Sequence, residues 1–81
     1  MGTFEELIQN LITPLLSYPE DFEIENQGEV DGFLTFNVKV RESDLGRVVG
    51  KGGHIAKAIR TILYAKASKE SKKVRLNIDA K

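Results

Sequence analysis

The sequence predicts an α+β fold in which helices pack on one face of a three-stranded sheet. Two patterns carry this prediction. Apolar residues recur at helical spacing near the N-terminus and again after residue 53, which indicates helices. In three other short segments, apolar and polar residues alternate, which indicates strands. The predicted order is α-β-β-α-α-β, and because two helices separate the second strand from the third, those strands are expected to run parallel. The 81 residues leave room for one domain, over residues 1–81.

The first helix is marked at both ends. Thr3 and Glu6 have the spacing of a capping box, with Thr3 as the N-cap. Pro14 cannot continue a helix, so the helix is expected to end or kink near Thr13. Residues 17–20 have the composition of a loop. The apolar residues at helical spacing are Phe4, Leu7, Ile8, Leu11, Ile12 and Leu15.

Two strands follow and are expected to form an antiparallel hairpin. In the first, Phe22 and Ile24 alternate with Glu23 and Glu25, as in a half-buried strand. An Asp-Gly pair within residues 28–32 is a turn signal between strands. The second strand is predicted to have one apolar and one polar face. The first carries Leu34, Phe36, Val38 and Val40, and the second carries Thr35, Asn37, Lys39 and Arg41.

Two helices and a strand complete the predicted fold. Ser43 is the expected N-cap of a short helix that ends near Val49. A longer helix is expected to begin after residue 53 and to end near Ala67, before a polar, basic loop over residues 68–73. The last strand is predicted from the alternation of Val74, Leu76 and Ile78 with polar residues. The predicted apolar stripe of the longer helix consists of Ile55, Ile59, Ile62 and Leu63, with Ala58 close by.

The turn Gly50-Lys51-Gly52-Gly53 is the most informative segment for function. Glycine lets the backbone approach a ligand closely, and amides at the start of a helix favour an anion. The turn therefore predicts a phosphate ligand. A Walker loop counted from Gly46 would need glycine where Lys51 stands, and a dinucleotide fingerprint would need glycine where Ile55 stands. The remaining interpretation is a phosphate backbone held between two helices.

The charges of the chain are segregated, although its net charge is zero. Residues 1–38 contain eight acids and no Lys or Arg, whereas residues 39–81 contain all twelve basic residues and four acids. The half that carries the glycine turn therefore has a net charge of +8, which favours a polyanionic ligand. Self-association or a chance distribution is the alternative explanation.

Residues 45–60 resemble the G-x-x-G core of a KH domain, in which a loop between two helices clamps about four nucleotides. The element order matches the type II arrangement. More narrowly, the chain resembles the KhpA (YlqC) family of small bacterial RNA-binding proteins. The resemblance implies single-stranded RNA as ligand, a homodimer or a heterodimer with another, KhpB-like KH protein, and a role in post-transcriptional regulation or as an RNA chaperone, with cell shape among the family's associations. Ile55 departs from the pattern, since many KH domains place this apolar residue one position later.

The expected RNA contacts come from the turn and from the basic residues around it. The plainer alternatives are a helix connector capped by glycine and solvated surface side chains. His54, the only histidine, either contacts the RNA or is an ordinary residue at a helix start. The predicted RNA-binding set is Arg47, Gly50, Lys51, Gly52, Gly53, His54, Lys57 and Arg60.

Apolar residues near the turn are candidates for the floor of a groove in which bases lie, with ordinary core as the alternative. They are Val40, Val49, Ile55 and Ile59. In the basic loop, Lys69, Lys72 and Lys73 either extend the basic track or are ordinary surface residues. Phe33 and Tyr64 are aromatic, but the sequence gives no sign of a stacking platform.

Other function classes have little support. The chain has no cysteine, no set of residues at metal-ligand spacing and no nucleophile with a matching base, so we expect no metal, no cofactor and no enzymatic activity. No apolar run is long enough for a membrane span and no signal-peptide pattern is evident, which predicts a cytoplasmic protein. The rival hypothesis is a protein-interaction module whose acidic N-terminal half recognises a basic partner.

Overall fold

The computed structural model describes residues 3–81, which form three α-helices, three strands and three single-turn 3-10 segments. The helices are α1 (Phe4–Ile12), α2 (Glu42–Val49) and α3 (His54–Lys69). The strands are β1 (Glu23–Val30), β2 (Phe33–Val40) and β3 (Val74–Ala80). The 3-10 turns are Thr13–Leu15, Pro19–Asp21 and Lys51–Gly53. The predicted order α-β-β-α-α-β is confirmed.

Helix α1 begins and ends where its sequence predicts. The amide of Glu6 donates to Thr3 Oγ1 at 3.1 Å, which satisfies one of the free N–H groups of the first turn. At the other end, the chain passes into a 3-10 turn that contains Pro14. Helix α1 buries Phe4, Ile8 and Ile12 against the rest of the core.

The sheet has the order β1-β2-β3, with β2 in the centre. β1 and β2 pair antiparallel around a turn at Asp31 and Gly32, and both turn residues have positive φ. The register shifts between Asn26 and Glu29, where β1 contains a bulge. β2 and β3 pair in parallel, with Leu34 opposite Val74 and Val40 opposite Ala80, so the predicted crossover is confirmed.

One continuous hydrophobic core lies between the helices and one face of the sheet. The apolar face of β2 contributes Phe36, Val38 and Val40, all essentially inaccessible to solvent. Thr35 lies on the opposite face and is also buried, with its hydroxyl donating to the carbonyl of Phe33 at 3.0 Å. The other face of the sheet is largely polar, and there Asn77 Nδ2 donates to Asn37 Oδ1 at 2.9 Å.

The predicted apolar stripe of α3 is partly wrong. The buried residues of this helix are Ala56, Ile59, Leu63 and Ala67, whereas Ile55 and Ile62 are 37% and 47% exposed. The prediction favoured the largest apolar side chains, but the structure turns two alanines toward the core. Alanine at these positions lets α3 approach closely, and the two large isoleucines remain on its outer surface.

The predicted cap of α2 is also wrong, because this helix begins at Glu42, before Ser43. Arg41 is the N-cap, and its carbonyl accepts from the amide of Asp44 at 2.8 Å. The Asp44 side chain is only 1% exposed. Its two oxygens accept from the amides of Ser17 and Tyr18 at 3.1 and 2.9 Å, which ties the segment after α1 to α2.

We expect Asp44→Ala to lower the free energy of unfolding by roughly 2–3 kcal/mol, because the amides of Ser17 and Tyr18 lose their buried, charged acceptor. Urea denaturation followed by circular dichroism measures the change. The matched control is Glu20→Ala, an exposed acid in the adjacent turn, for which we expect a change within about 0.5 kcal/mol. Equal losses in the two variants would contradict the anchoring role of Asp44.

Candidate nucleic-acid interface

A tight glycine-rich turn joins α2 to α3. The amide of Gly50 donates to the carbonyl of Gly46 at 2.8 Å and closes the last turn of α2. The amide of Gly53 donates to the carbonyl of Gly50 at 3.1 Å, and the amide of His54 donates to the carbonyl of Lys51. These bonds define a short 3-10 turn from which α3 starts.

Gly50 has a backbone conformation that no other residue adopts easily. Its φ of +77° and ψ of 171° lie in a region occupied almost only by glycine. A Cβ at this position would lie 2.5 Å from Ile55 Cγ1 and 2.8 Å from Ile55 Cβ. The Ile55 side chain thus packs directly over the Gly50 backbone, and the first turn of α3 rests on the end of α2.

The outer side of the turn is open. Lys51 and Gly52 are exposed, whereas Gly50 and Gly53 are half-buried. Among the hydrogen bonds of residues 3–81, none is donated by the amides of Lys51 and Gly52, which are the first two of the 3-10 turn. Both amides lie just before the start of α3, a helix of 16 residues whose dipole favours negative charge at this end. This geometry suits a phosphate group.

Two of the predicted basic residues are held by hydrogen bonds to neighbouring elements. Arg47 Nη1 donates to Ser17 Oγ at 2.8 Å, so the same segment that binds Asp44 also holds this guanidinium. Arg60 is half-buried, and its Nε donates to the carbonyl of Leu76 in β3 at 3.1 Å. Arg60 is therefore tied to the sheet beyond the first turn of α3.

Lys51, Lys57 and His54 are exposed. Lys57 shares one face of α3 with Arg60, three positions further along. The His54 ring lies beside the turn, since a Cβ at Gly52 would be 3.3 Å from its Cδ2 atom. In the described part of the chain, none of the predicted basic contact residues forms an ion pair, which leaves their charge available to an external anion.

The four candidate floor residues divide into two pairs. Val40 has no accessible surface and Ile59 is 5% exposed, so both belong to the core. Val49 is half-buried and Ile55 is 37% exposed, so this pair remains at the surface beside the glycine turn. An apolar surface for a base next to the turn therefore consists of Val49 and Ile55.

The basic loop is shorter than its sequence suggests, because Lys69 lies in the last turn of α3. The amide of Lys72 donates to the carbonyl of Ala67 at 2.9 Å, and the Lys73 carbonyl accepts from the amide of Leu34 at 2.8 Å. The backbone of Lys72 and Lys73 is thus anchored both to α3 and to β2. Their side chains remain exposed.

Two features of the structure were not predicted from the sequence. Ser17 and Asp44 orient the turn and Arg47 through contacts between segments more than 25 residues apart, which no local pattern reports. Phe33 and Tyr64 line one cavity of about 250 Å³ at the far end of α3. Only the fold brings these two aromatic residues together.

Two further findings concern other kinds of site. Over residues 3–81, no three His, Asp or Glu side chains are grouped so that they could hold a metal ion. None of the helices described has both the length and the apolar character needed to cross a membrane.

Comparison with known proteins gives a consistent result over nearly the whole chain. The family model described as KhpA/KhpB, KH domain matches residues 5–78. Relatives named RNA-binding protein KhpA include one from Listeria monocytogenes, 51% identical over 74 residues, which are 91% of this chain and 96% of the relative. The relative from Streptococcus pneumoniae is 41% identical over 81 residues and covers 100% of both chains. That from Bacillus subtilis is 40% identical over 74 residues, 91% of this chain and 90% of the relative.

Solved structures share the fold at much lower identity. Aquifex aeolicus Era, bound to GDP and AlF4⁻, aligns with 96% of this chain at a TM-score of 0.68 and 15% identity. Era in complex with MgGDPNP and a segment of 16S ribosomal RNA aligns with 95% of this chain at a TM-score of 0.62 and 16% identity. The aligned part is 30% and 29% of the Era chains, respectively, so this likeness concerns one part of Era and its fold.

A series of glycine substitutions tests the geometry of the turn. We expect Gly50→Ala to cost roughly 2–4 kcal/mol, because it combines backbone strain with a clash against Ile55. Gly53→Ala, at positive φ but with open space around it, is expected to cost about 1–2 kcal/mol. The control, Gly46→Ala inside α2, is expected to stabilise the protein by about 0.5–1 kcal/mol. Thermal and urea denaturation measure the order, and a Gly50→Ala variant as stable as Gly46→Ala would contradict it.

Proposed function

The chain belongs to the KhpA/KhpB family of KH domains, and on this premise we propose that it binds the sugar-phosphate backbone of single-stranded RNA through the turn at residues 50–53. The observation that carries this proposal is the exposed pair of unbonded amides at Lys51 and Gly52, at the positive end of α3. We place the protein in the cytoplasm, as a post-transcriptional regulator or an RNA chaperone.

Each group around the turn has a distinct part in this proposal. The two free amides donate to phosphate oxygens, and Lys51 adds a mobile positive charge. Arg47, held by Ser17, and Lys57 extend the positive surface on either side of the turn. Val49 and Ile55 offer an apolar surface to a base. Because most of these contacts are with phosphates, sequence preference is expected to be weak.

The role proposed for Arg60 in RNA binding is restricted by its hydrogen bond to β3. Its Nε is already bonded to the Leu76 carbonyl, which leaves the terminal nitrogens of the guanidinium for RNA. The contact holds Arg60 over the edge of β3, beside Lys57 on the same face of α3. A strand of RNA that leaves the turn along this face would therefore meet Lys57 first and Arg60 next.

The variant Lys51→Asp combined with Gly52→Asp tests the site. Two carboxylates in place of the cation and beside the free amides are expected to weaken binding of a short unstructured RNA at least tenfold, measured by fluorescence anisotropy. Gly52 has φ +64° and ψ 16°, a left-handed conformation that Asp tolerates better than most residues, so the fold is expected to persist in circular dichroism.

The matched control is Lys39→Asp combined with Gln27→Asp, which changes the net charge equally on exposed residues of β1 and β2 rather than of the turn. We expect this control to retain most of the RNA affinity. Equal losses of affinity in the turn variant and in this control would contradict a specific role of the turn.

The salt dependence of binding gives a second prediction. If about four phosphates are neutralised, the slope of log K against log salt concentration for the unmodified protein is near −3, and a fourfold rise in salt weakens binding roughly 50-fold.

The same RNA titration also tests the rival hypothesis of a protein-interaction module. A protein-interaction module would bind RNA weakly from the start, and the turn variant would not change that affinity.

Two acids of the N-terminal half, Asp21 and Glu23, already pair with Arg41 and Lys81 at 2.7 and 2.6 Å. The hydrogen bond that Arg41 donates to Asp21 raises the pKa of Arg41, and the one that Lys81 donates to Glu23 raises the pKa of Lys81. The acidic half is thus partly neutralised within the domain, which favours the RNA hypothesis.

We also propose that the domain works as a pair, either with a second copy or with another, KhpB-like KH protein. The outer face of α3 carries Ala58, Ile62 and Ala65, all exposed and apolar, at spacings of four and three residues. Small residues beside Ile62 allow a second helix to approach closely. Pairing raises the affinity for one RNA through effective concentration, without new contacts.

Ile62→Glu tests the pairing. A charge in the centre of this face is expected to shift the protein from a dimer to a monomer of 9.1 kDa in light scattering. Ser68→Glu, an exposed position on another face of α3, is the control and is expected to leave the dimer intact. An unmodified protein that is monomeric at high concentration, with no KH partner recovered from cells, would refute the proposal.

A further inference from the structure

From the cavity that Phe33 and Tyr64 share, we infer a second RNA contact at the far end of α3: an aromatic and cationic pocket that takes one nucleobase and its phosphate. This inference rests on the proposed function, because it concerns the same RNA strand. The turn at residues 50–53 grips the backbone at one end, and the pocket receives a nucleotide further along.

The pocket has the composition that a nucleotide requires. Ala67 and Val74 are buried and form an apolar floor. The Phe33 ring is half-buried and the Tyr64 side chain is 40% exposed, so an aromatic face is accessible. The volume of about 250 Å³ lies below the roughly 300 Å³ at which pockets for drug-sized ligands begin, which suits a single base.

The rim of the pocket is positively charged. Arg75 lies with its guanidinium carbon 4.5 Å from the centre of the Phe33 ring, and this cation–π contact holds its charge beside the aromatic wall. Lys72 and Lys73 complete the rim, on a backbone anchored to α3 and β2. Across the described residues, none of these three cations forms an ion pair. Their chemistry therefore favours a ligand that combines an aromatic ring with negative charge.

The pocket continues the surface on which the glycine turn lies. Lys57, Arg60 and Tyr64 follow one another on α3 at spacings of three and four residues and so share one face. Arg60 bonds to the carbonyl of Leu76, which places this face over β3. Tyr64 lies about 16 Å along the helix from Gly53, given the rise of an α-helix. An RNA strand longer than the four nucleotides bound at the turn would follow this face of α3 into the pocket.

The inference predicts that RNA length matters and that Tyr64 is the reason. An octanucleotide is expected to bind more tightly than a tetranucleotide of the same composition. Tyr64→Ala is expected to weaken octanucleotide binding about fivefold or more, since a base loses its stacking partner, and to leave tetranucleotide binding unchanged. Tyr64→Phe, which keeps the ring, is expected to restore the affinity. Tyr18→Ala, which removes the other tyrosine ring of the chain, is the control, and it is expected to leave the affinity for the octanucleotide unchanged.

Fluorescence provides a second readout that does not depend on affinity. In a Tyr18→Phe background, Tyr64 is the only tyrosine and the chain has no tryptophan. Saturation with the octanucleotide is expected to quench its emission, and saturation with the tetranucleotide is not. Circular dichroism of each variant verifies that the fold is retained.

The outcomes separate this inference from the proposed function. Tetranucleotide binding that survives the Lys51→Asp and Gly52→Asp changes would refute the role of the turn. Tetranucleotide binding through the turn, with no octanucleotide advantage or with an advantage that Tyr64→Ala leaves intact, would overturn the pocket alone. A Tyr64-dependent advantage together with quenching would establish the pocket as an RNA contact.

Discussion

The contact between the Gly50 backbone and the Ile55 side chain is the constraint on which the candidate site depends. A Cβ at Gly50 would come within 2.5 Å of Ile55, so the two helices meet at this distance only if residue 50 is glycine. Only residues 50–53 separate the end of α2 from the start of α3. Lys51 and Gly52 are exposed, and among the bonds of residues 3–81 their amides have no internal acceptor, at the positive end of α3.

Two polar anchors hold the turn in place relative to the rest of the domain. Buried Asp44 binds the amides of Ser17 and Tyr18, and this segment in turn accepts a hydrogen bond from Arg47. On the other side, Arg60 fastens α3 to β3. Helix α2 is thus fixed to the N-terminal segment and helix α3 to the sheet. A surface that binds a flexible polymer gains affinity when its own groups need no reordering on binding.

The faces of α3 separate the proposed activities of the domain. One face, with Ala56, Ile59, Leu63 and Ala67, belongs to the core. A second face, with Lys57, Arg60 and Tyr64, lies over β3 and connects the turn to the aromatic pocket. A third, with Ala58, Ile62 and Ala65, is apolar and exposed, and it points away from the first two. Because a helix repeats every 3.6 residues, packing, RNA binding and pairing with a partner can occupy separate faces of 16 residues.

By itself, the sequence determined the order of elements, the antiparallel hairpin, the parallel crossover and the position of the glycine turn, because these depend on local periodicity and on glycine and proline chemistry. It determined the buried face of α3 only in part: Ile59 and Leu63 are buried as predicted, but Ala56 and Ala67 complete the packed face in place of Ile55 and Ile62. The buried role of Asp44, the core position of Val40 and the placement of Phe33 and Tyr64 at one cavity were likewise decided by tertiary structure. Each depends on contacts between segments distant in sequence, and their energies appear only when the chain is packed.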